Sequence, residues 1–418
     1  MSRKLDVYLH CRKAGLLEQD NAANLRFTYN EDYLNSEAAK PISVAMPLTD
    51  EAYANTIAKP YFSGLLPDES ARSRLASALG ISDTNAFGML EVIGGECAGA
   101  LSLLPLNADV PVSNSADTIL DQQQLGGLLH ELRSNPLLGS RQDVRLSLAG
   151  AQDKIAVKII DDKVALVKNG EPTTHILKPC IQSLQGTAEN EYFCMTLATR
   201  LGLAAPDVRF AETDDTQYIL VKRFDRKELP NGIVQRLHQE DFCQALSVPP
   251  ELKYEDEGGP GVAQSQELVR RVVDQLAADR LMFLRMLIFH YLVSNADAHA
   301  KNYALLYSSD VNAPSLAPVY DTLCTAVYPS LTKNMAMRIG GRNLPDTIQR
   351  NHWLSLAPDT KAAQRLLIKE LSALAINIIP AMEQLLFECT ELGIQHPVLG
   401  QIAKVIRSRS QMILRTVS

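Results

Sequence analysis

Apolar and polar positions alternate in LDVYLHC (5–11) and LRFTYNEDYL (25–34), a period of two that predicts strands, with the intervening KAGLLEQDN as a hairpin loop. FSGLLPDESARSRLASALG (62–80) changes to a helical period, with acidic residues near its start and Gly80 at its end. AFGMLEVIGGECAGALSLLP (86–105) reads as an apolar segment, a Gly-Gly turn and a strand. These segments predict a small mixed domain over residues 1–105. Residues 106–140 are rich in Asn, Asp, Ser and Gln, with Pro111 and Pro136, and predict a linker carrying one helix near 121–134. RLSLAGAQDKIAVKII predicts strand, turn, strand; ALVKNGEPTTHILKP predicts a hairpin turning at Asn169-Gly170. TAENEYFCMTLATRLGL (187–203) is an amphipathic helix and TQYILVKRFDR (216–226) a further strand. Residues 141–235 are therefore strand-rich and residues 236–418 mostly helical. Within the latter, ELKYEDEGGPGVAQS (251–265) is a charged, Gly-rich interruption expected to be a mobile loop.

Composition narrows the class. The 418 residues suggest two or three domains. With 46% hydrophobic and 21% charged residues, the chain can bury a core that needs no disulfide or metal staple. A net charge of −7 excludes an overall basic field for nucleic acid. A local patch remains: AKVIRSRSQMILR places Lys404, Arg407, Arg409 and Arg415 near one another, either to meet DNA phosphates or as an ordinary basic helix end. The seven cysteines include no C-x-x-C pair, which argues against zinc and against a disulfide scaffold. MSRKLDVYLHCRKAG has no apolar signal region and no long uncharged apolar run exists, so a cytoplasmic protein is expected.

Candidate chemistry begins at YLVSNADAHAKN (291–302), where an apolar run flows into a polar cluster. Asp297 and Asn302 have the D-x-x-x-x-N spacing of a kinase catalytic loop, in which the Asp accepts the substrate hydroxyl proton and the Asn holds magnesium. Asp321 follows strand-like residues in LAPVYDTLCTA, the place of a second metal-holding Asp, although Thr322 and Leu323 replace the usual Phe-Gly. Lys178 ends the apolar strand THILKP, upstream of a helix whose first turn carries Glu189 and Glu191. A strand lysine paired to a helix glutamate orients phosphates, and the sequence does not choose between the two glutamates. In SLAGAQDK (147–154), the small residues Ala149, Gly150 and Ala151 let backbone N–H groups approach phosphates, though the loop is neither G-x-G-x-x-G nor a Walker motif. The parts stand in the order a kinase requires. A competing reading makes His290, Asp297 and His299 the metal ligands of a phosphohydrolase, since positions 290 and 297 share a helix face.

Taken together, SLAGAQDK, HILKP, ENEYFC, VKRFDR, NADAHAKN and PVYDT resemble the HipA family of bacterial serine/threonine kinases, the toxin halves of type II toxin–antitoxin modules. The likeness is strongest over residues 144–340, and FSGLLPD and FGMLEVIGGECAGAL resemble the family's N-terminal domain. The resemblance implies an α+β, two-lobed, protein-kinase-like fold, with a mixed α/β N-terminal lobe and a mostly helical C-terminal lobe. It makes Asp297 the base and puts Asn302 and Asp321 on Mg2+ and Lys178 on the ATP phosphates. The main chain of Lys222, Arg223 and Phe224 becomes a hinge under adenine; Tyr320 and His299 line the site. Gln152, Lys154 and Lys301 also fall at the nucleotide. Ser147 matches an autophosphorylated serine, whose phosphate adds about −1.5 to −2 charge and would repel the ATP phosphates. Lys222 departs from an often acidic position, which a backbone hinge tolerates. The implied partners are a small helix-turn-helix, HipB-like antitoxin, operator DNA through or together with it, and a protein substrate such as glutamyl-tRNA synthetase, with growth arrest and persistence as the outcome. A non-enzymatic co-repressor with a vestigial site is the other alternative.

Overall fold

The computed structural model describes residues 2–108, 117–134, 152–167, 171–213, 216–308 and 313–417. The chain opens with β1 (Arg3–Leu9), β2 (Arg12–Gln19) and β3 (Leu25–Tyr29), which join a later strand, β4 (Leu101–Pro105), in an antiparallel sheet ordered β3-β2-β1-β4. His10 and Cys11 turn the first hairpin with φ of 50° and 63°. That two-residue turn makes residues 13–19 strand rather than the expected hairpin loop. At Asn30 the side chain accepts the Asp32 N–H, so the chain enters α1 (Glu31–Leu34) where alternation predicted more strand. The helix expected over 62–80 is two, α2 (Asn55–Gly64) and α3 (Glu69–Leu79), separated at Pro67, which disfavours helix in the residue before it. Gly80 closes α3 in the left-handed region, φ 66°. With α4 (Ala86–Ile93), these helices cover a core built on Leu5, Leu17, Phe27, Phe62 and Phe87.

A second sheet uses β5 (Thr118–Ile119), β6 (Ile155–Ile160), β7 (Lys163–Leu166), β8 (His175–Pro179), β9 (Val208–Thr213) and β10 (Thr216–Lys222), in the order β5-β7-β6-β8-β10-β9. Here β7 does not pair with β8, as the expected hairpin required; β6 lies between them. The hairpin is β6–β7, turned by Asp161 and Asp162 at φ 48° and 60°, a conformation that Asp tolerates better than most residues. Asn169 and Gly170 lie outside the described residues. Helix α5 (Gln122–Ser134) packs Leu125, Leu128 and Leu129 against Val157, Leu177 and Leu220 on one face. Helix α6 (Thr187–Arg200) takes the other, where Ala188 meets Ile219 and Val221. Alternation along β8 therefore sends Leu177 into the α5 face and Lys178 towards α6.

The remainder is mostly helical. It comprises β11 (Arg226–Glu228), β12 (Val234–Arg236), β13 (His238–Asp241), α7 (Phe242–Ala245), α8 (Val262–Val272), α9 (Leu276–Val293), β14 (Ala304–Tyr307), β15 (Ser315–Leu316), α10 (Arg350–Leu354), α11 (Lys361–Glu391) and α12 (Pro397–Val417). From Met286 to Val293 α9 is fully buried and, apart from His290, built of apolar and aromatic residues, as befits the central helix of a bundle, with α8, α11 and α12 against it. The result is a two-lobed α+β protein: a mixed α/β N-terminal lobe and a mostly helical C-terminal one. Residues 251–265, expected to be a mobile loop, carry regular structure. They form two 3-10 turns, Pro250–Leu252 and Glu255–Glu257, and run into α8. One of their exposed carboxylates is tied down: Asp256 accepts from Arg338 Nη2 and Asn343 Nδ2, each at 2.7 Å. No helix of the described residues is long and apolar enough to cross a membrane.

Candidate active site

Lys178 is nearly buried, and its ammonium lies 2.6 Å from Glu191 Oε1 and 2.7 Å from Asp321 Oδ1. Glu191, not Glu189, is thus the helix partner; Glu189 is buried without a hydrogen bond to Oε2 among the described residues. Burial alone would lower the Lys178 pKa, but Asp321 and Glu191 outweigh it and raise it, so the ammonium stays charged. Burial works against the Asp321 carboxylate too, yet Lys178 and Lys154 hold it well below the usual carboxylate range. Glu191 is raised by its burial, against the pull of Lys178. Asp321 sits at φ 54°, a strained backbone of the kind found at functional sites. Only Ser315–Leu316 form a strand on the way to it; Val319 donates its N–H to the Ala204 carbonyl at 2.8 Å.

The loop after α9 begins where Ser294 turns left-handed, φ 51°. Asn295 Oδ1 accepts the Asp297 N–H at 3.1 Å, and Thr325 Oγ1 accepts the Ala296 N–H at 2.8 Å. Asn302 Nδ2 donates to the Asp297 carbonyl at 2.8 Å, which orients its amide and leaves Oδ1 unengaged among the described residues. The Asp297 side chain is 55% exposed, yet it stands in a recess crowded on its other sides. That partial desolvation raises it to about 6, against hydrogen bonding from Tyr254 and attraction by Lys253. The Tyr254 phenol donates to Asp297 Oδ1 at 2.5 Å. His299 is buried, and burial, with Lys253 and Lys301 beside it, holds it neutral.

Two of the hinge N–H groups are engaged: Lys222 donates to the Asp207 carbonyl at 2.8 Å and Arg223 to the Thr174 carbonyl at 2.9 Å. The Phe224 N–H has no acceptor among the described residues and is the hinge donor left for a ligand. The Arg223 guanidinium is buried on Asp225, Glu96 and Thr173, so its side chain supports the hinge rather than facing a nucleotide. Phe224 and Tyr320 form an aromatic wall, ring centroids 5.2 Å apart. Between this apolar end and the Lys178–Asp297–Asp321 end lies one open cleft, lined by residues of both lobes. Oxygen donors without a firm protein partner, Asn302 Oδ1 and the open side of Asp321, fit a hard divalent cation held jointly with phosphates.

Other expected residues fall differently. Lys301 lines the cleft with its ammonium already engaged by protein groups: it contacts Asp241 Oδ2 at 3.0 Å and the Gly64 carbonyl at 3.1 Å, tethering the loop to α2. Gln152 Nε2 donates to the Pro179 carbonyl at 3.0 Å, whereas Lys154 lines the cleft near Asp321. Ser147, Ala149, Gly150 and Ala151 lie outside the described residues. His290 is buried beside Asn295 at 3.3 Å, and burial pushes it down to about 3, the state of a core histidine. Arg407 is paired with Glu383 and Arg409 with Asp346, so two charges of the basic C-terminal cluster are already matched. Lys253 and Tyr254 were not legible as site residues, because their segment has the composition of a solvated loop and no periodicity.

Comparison with known proteins follows from this geometry. Family models described as HipA N-terminal domain and HipA-like C-terminal domain match residues 5–104 and 146–384. A Sinorhizobium fredii protein named "Putative kinase Y4mE" is 39% identical over 415 residues, 98% of each chain. The serine/threonine-protein kinase toxin HipA of Shewanella oneidensis is 27% identical over 395 residues, 91% of this chain and 89% of its own. Among solved structures, the Shewanella oneidensis complex of HipA, HipB and operator DNA superposes with a TM-score of 0.80 at 23% identity, covering 99% of this chain and 96% of the other.

Proposed function

The chain belongs to the HipA family, and from that premise we propose that it is an ATP-dependent serine/threonine-protein kinase acting as the toxin of a type II toxin–antitoxin pair. The observation that carries the proposal is convergence. Lys178, from the sheet of one lobe, reaches Glu191 on α6 and Asp321 of the other lobe, in the same cleft that holds Asp297 and Asn302. Four polar groups serving only their own lobes would have no reason to meet.

The residues then take roles by position. Asp321 and Asn302 Oδ1 would hold Mg2+, which when bound neutralises charge on the phosphoryl oxygens. Lys178, kept charged by its two carboxylates, orients phosphates. The Phe224 N–H offers a hydrogen bond to adenine, with Phe224 and Tyr320 as the apolar wall. Asp297 accepts the proton of the Ser or Thr hydroxyl as the γ-phosphoryl is transferred. Ser147 would be the self-phosphorylated serine, its added charge opposing ATP in the same cleft. For partners, the solved relative seated with HipB and operator DNA supports a small helix-turn-helix antitoxin and operator DNA. An aminoacyl-tRNA synthetase as substrate, with growth arrest and persistence, extends the same reading.

Calorimetric titration with ATP tests it against the co-repressor alternative. Binding is expected to require Mg2+ and to weaken at least tenfold in Asp321→Ala. Equal, magnesium-independent binding by both proteins would leave the co-repressor reading standing.

A further inference from the structure

The kinase reading calls for no tyrosine at its base, yet the Tyr254 phenol donates to Asp297 Oδ1 at 2.5 Å. A serine or threonine hydroxyl about to attack must make that same hydrogen bond to the same carboxylate. We propose that Tyr254 occupies and guards the acceptor seat: its hydroxyl stands in for the substrate hydroxyl on Asp297 Oδ1 and keeps water off that oxygen until a Ser or Thr side chain displaces it. This deepens the reading of Asp297 as the base and rests on it.

The phenol is presented by a built arm. Residues 250–261 double back on themselves, and a Cβ on Gly259 would lie 2.0 Å from the Leu252 carbonyl, so only glycine fits there. Gly258 turns at φ 97°, again a glycine conformation. Three regions fasten the arm. On the N-terminal domain, Glu69 pairs with Lys253 at 2.7 Å. On the catalytic loop, the Ala300 N–H meets the Lys253 carbonyl at 3.3 Å. On the far side, the Arg338 N–H donates to Glu255 Oε2 at 2.6 Å, and Asp256 binds Arg338 and Asn343. Every one of these anchors is on residue 253, 255 or 256. The Tyr254 ring itself is held by its edge-on contact with His299, centroids 5.0 Å apart, by the Lys253 ammonium 5.5 Å from its centroid, and by the bond to Asp297. The ring is partly exposed, so rotation of its side chain frees the carboxylate without unseating the arm. Lys253 is matched by Glu69, and neutral His299 keeps Nε2 3.9 Å from Asp297 Oδ1, so the phenol is the group in direct contact.

The consequence is suppression of futile hydrolysis. In that side reaction a water oxygen bonds to the γ-phosphorus, the bond to the β–γ bridging oxygen breaks, and one water proton passes to Asp297. Tyr254→Phe keeps the ring and deletes one oxygen, leaving a seat the size of a water at the base.

The test measures ADP release by the full chain from Mg-ATP with no protein acceptor. Tyr254→Phe is expected to raise kcat for hydrolysis threefold or more, with KM for ATP and Tm unchanged. An unchanged or lower kcat in Tyr254→Phe, with Asp297→Asn inactive, overturns the seat and spares the base. A residue of purely structural value would instead lower Tm and raise KM for ATP. Wild-type hydrolysis by Asp297→Asn removes the base assignment itself, and the seat with it.

Discussion

As the proposed base, Asp297 has to be ionised to act, and the recess around it raises its pKa to about 6. The sign follows directly. Below about pH 6 the free protein holds a proton on Asp297, and a protonated base accepts nothing. The value of kcat/KM, which reports the free enzyme, should therefore fall about tenfold per pH unit below about 6 and level off above it. A profile flat down to pH 5 contradicts the assignment. Asp297, Asn302, Lys178 and Asp321 were legible in the sequence because each stands at a fixed spacing or at a strand end. Glu191 was not separable from Glu189, because the two stand two positions apart near the start of α6 and only the rotation of that helix over β8 decides. Lys301, which the resemblance puts at the nucleotide, lines the cleft with its ammonium bonded to the Gly64 carbonyl and Asp241, contacts that no spacing in the sequence announces.

At the scale of elements, β13 joins the N-terminal domain to β14 through Glu240. This carboxylate is fully buried and accepts from Ser43 Oγ at 2.5 Å, the Val44 N–H at 2.9 Å and the Tyr307 hydroxyl. Burial raises it to about 7 despite those donors. Between the unfolded value, about 4.3, and the folded one, the native protein holds a proton that the unfolded chain has lost. The contribution is fully present below that window and is lost as pH rises through it, on the order of 4 kcal/mol in all. Glu240→Gln should flatten this slope, read as the difference in Tm between pH 5 and pH 8; identical slopes in both proteins would refute it. Strands β8 and β10 were legible from alternation, but the order β7-β6-β8 was not. The Asn-Gly signal outweighed the Asp161-Asp162 pair, and antiparallel pairing leaves no mark of which strand is inserted between two others. The 251–265 arm was misjudged because a charged, Gly-rich sequence looks the same whether water or Arg338 and Asn343 satisfy its carboxylates.

Across the whole molecule, the cleft has three walls rather than two. Glu96 of the N-terminal domain holds Arg223 at 3.3 Å and Arg226 at 3.1 Å, and the Gly99 N–H donates to Asp225 at 2.7 Å, so that domain braces the hinge. The succession of strand-rich and helix-rich segments made the two lobes legible, whereas this bracing joins residues more than a hundred positions apart with no periodic signature. The central claim is that these walls bring one base, one metal-holding pair and one lysine together for phosphoryl transfer. Incubation with Mg2+ and ATP labelled at the γ-phosphoryl, followed by mass spectrometry of the intact protein, addresses it most directly. The account predicts label on a serine or threonine, Ser147 first, and none in Asp297→Ala. An Asp297→Ala protein labelled as fully as the wild type contradicts it.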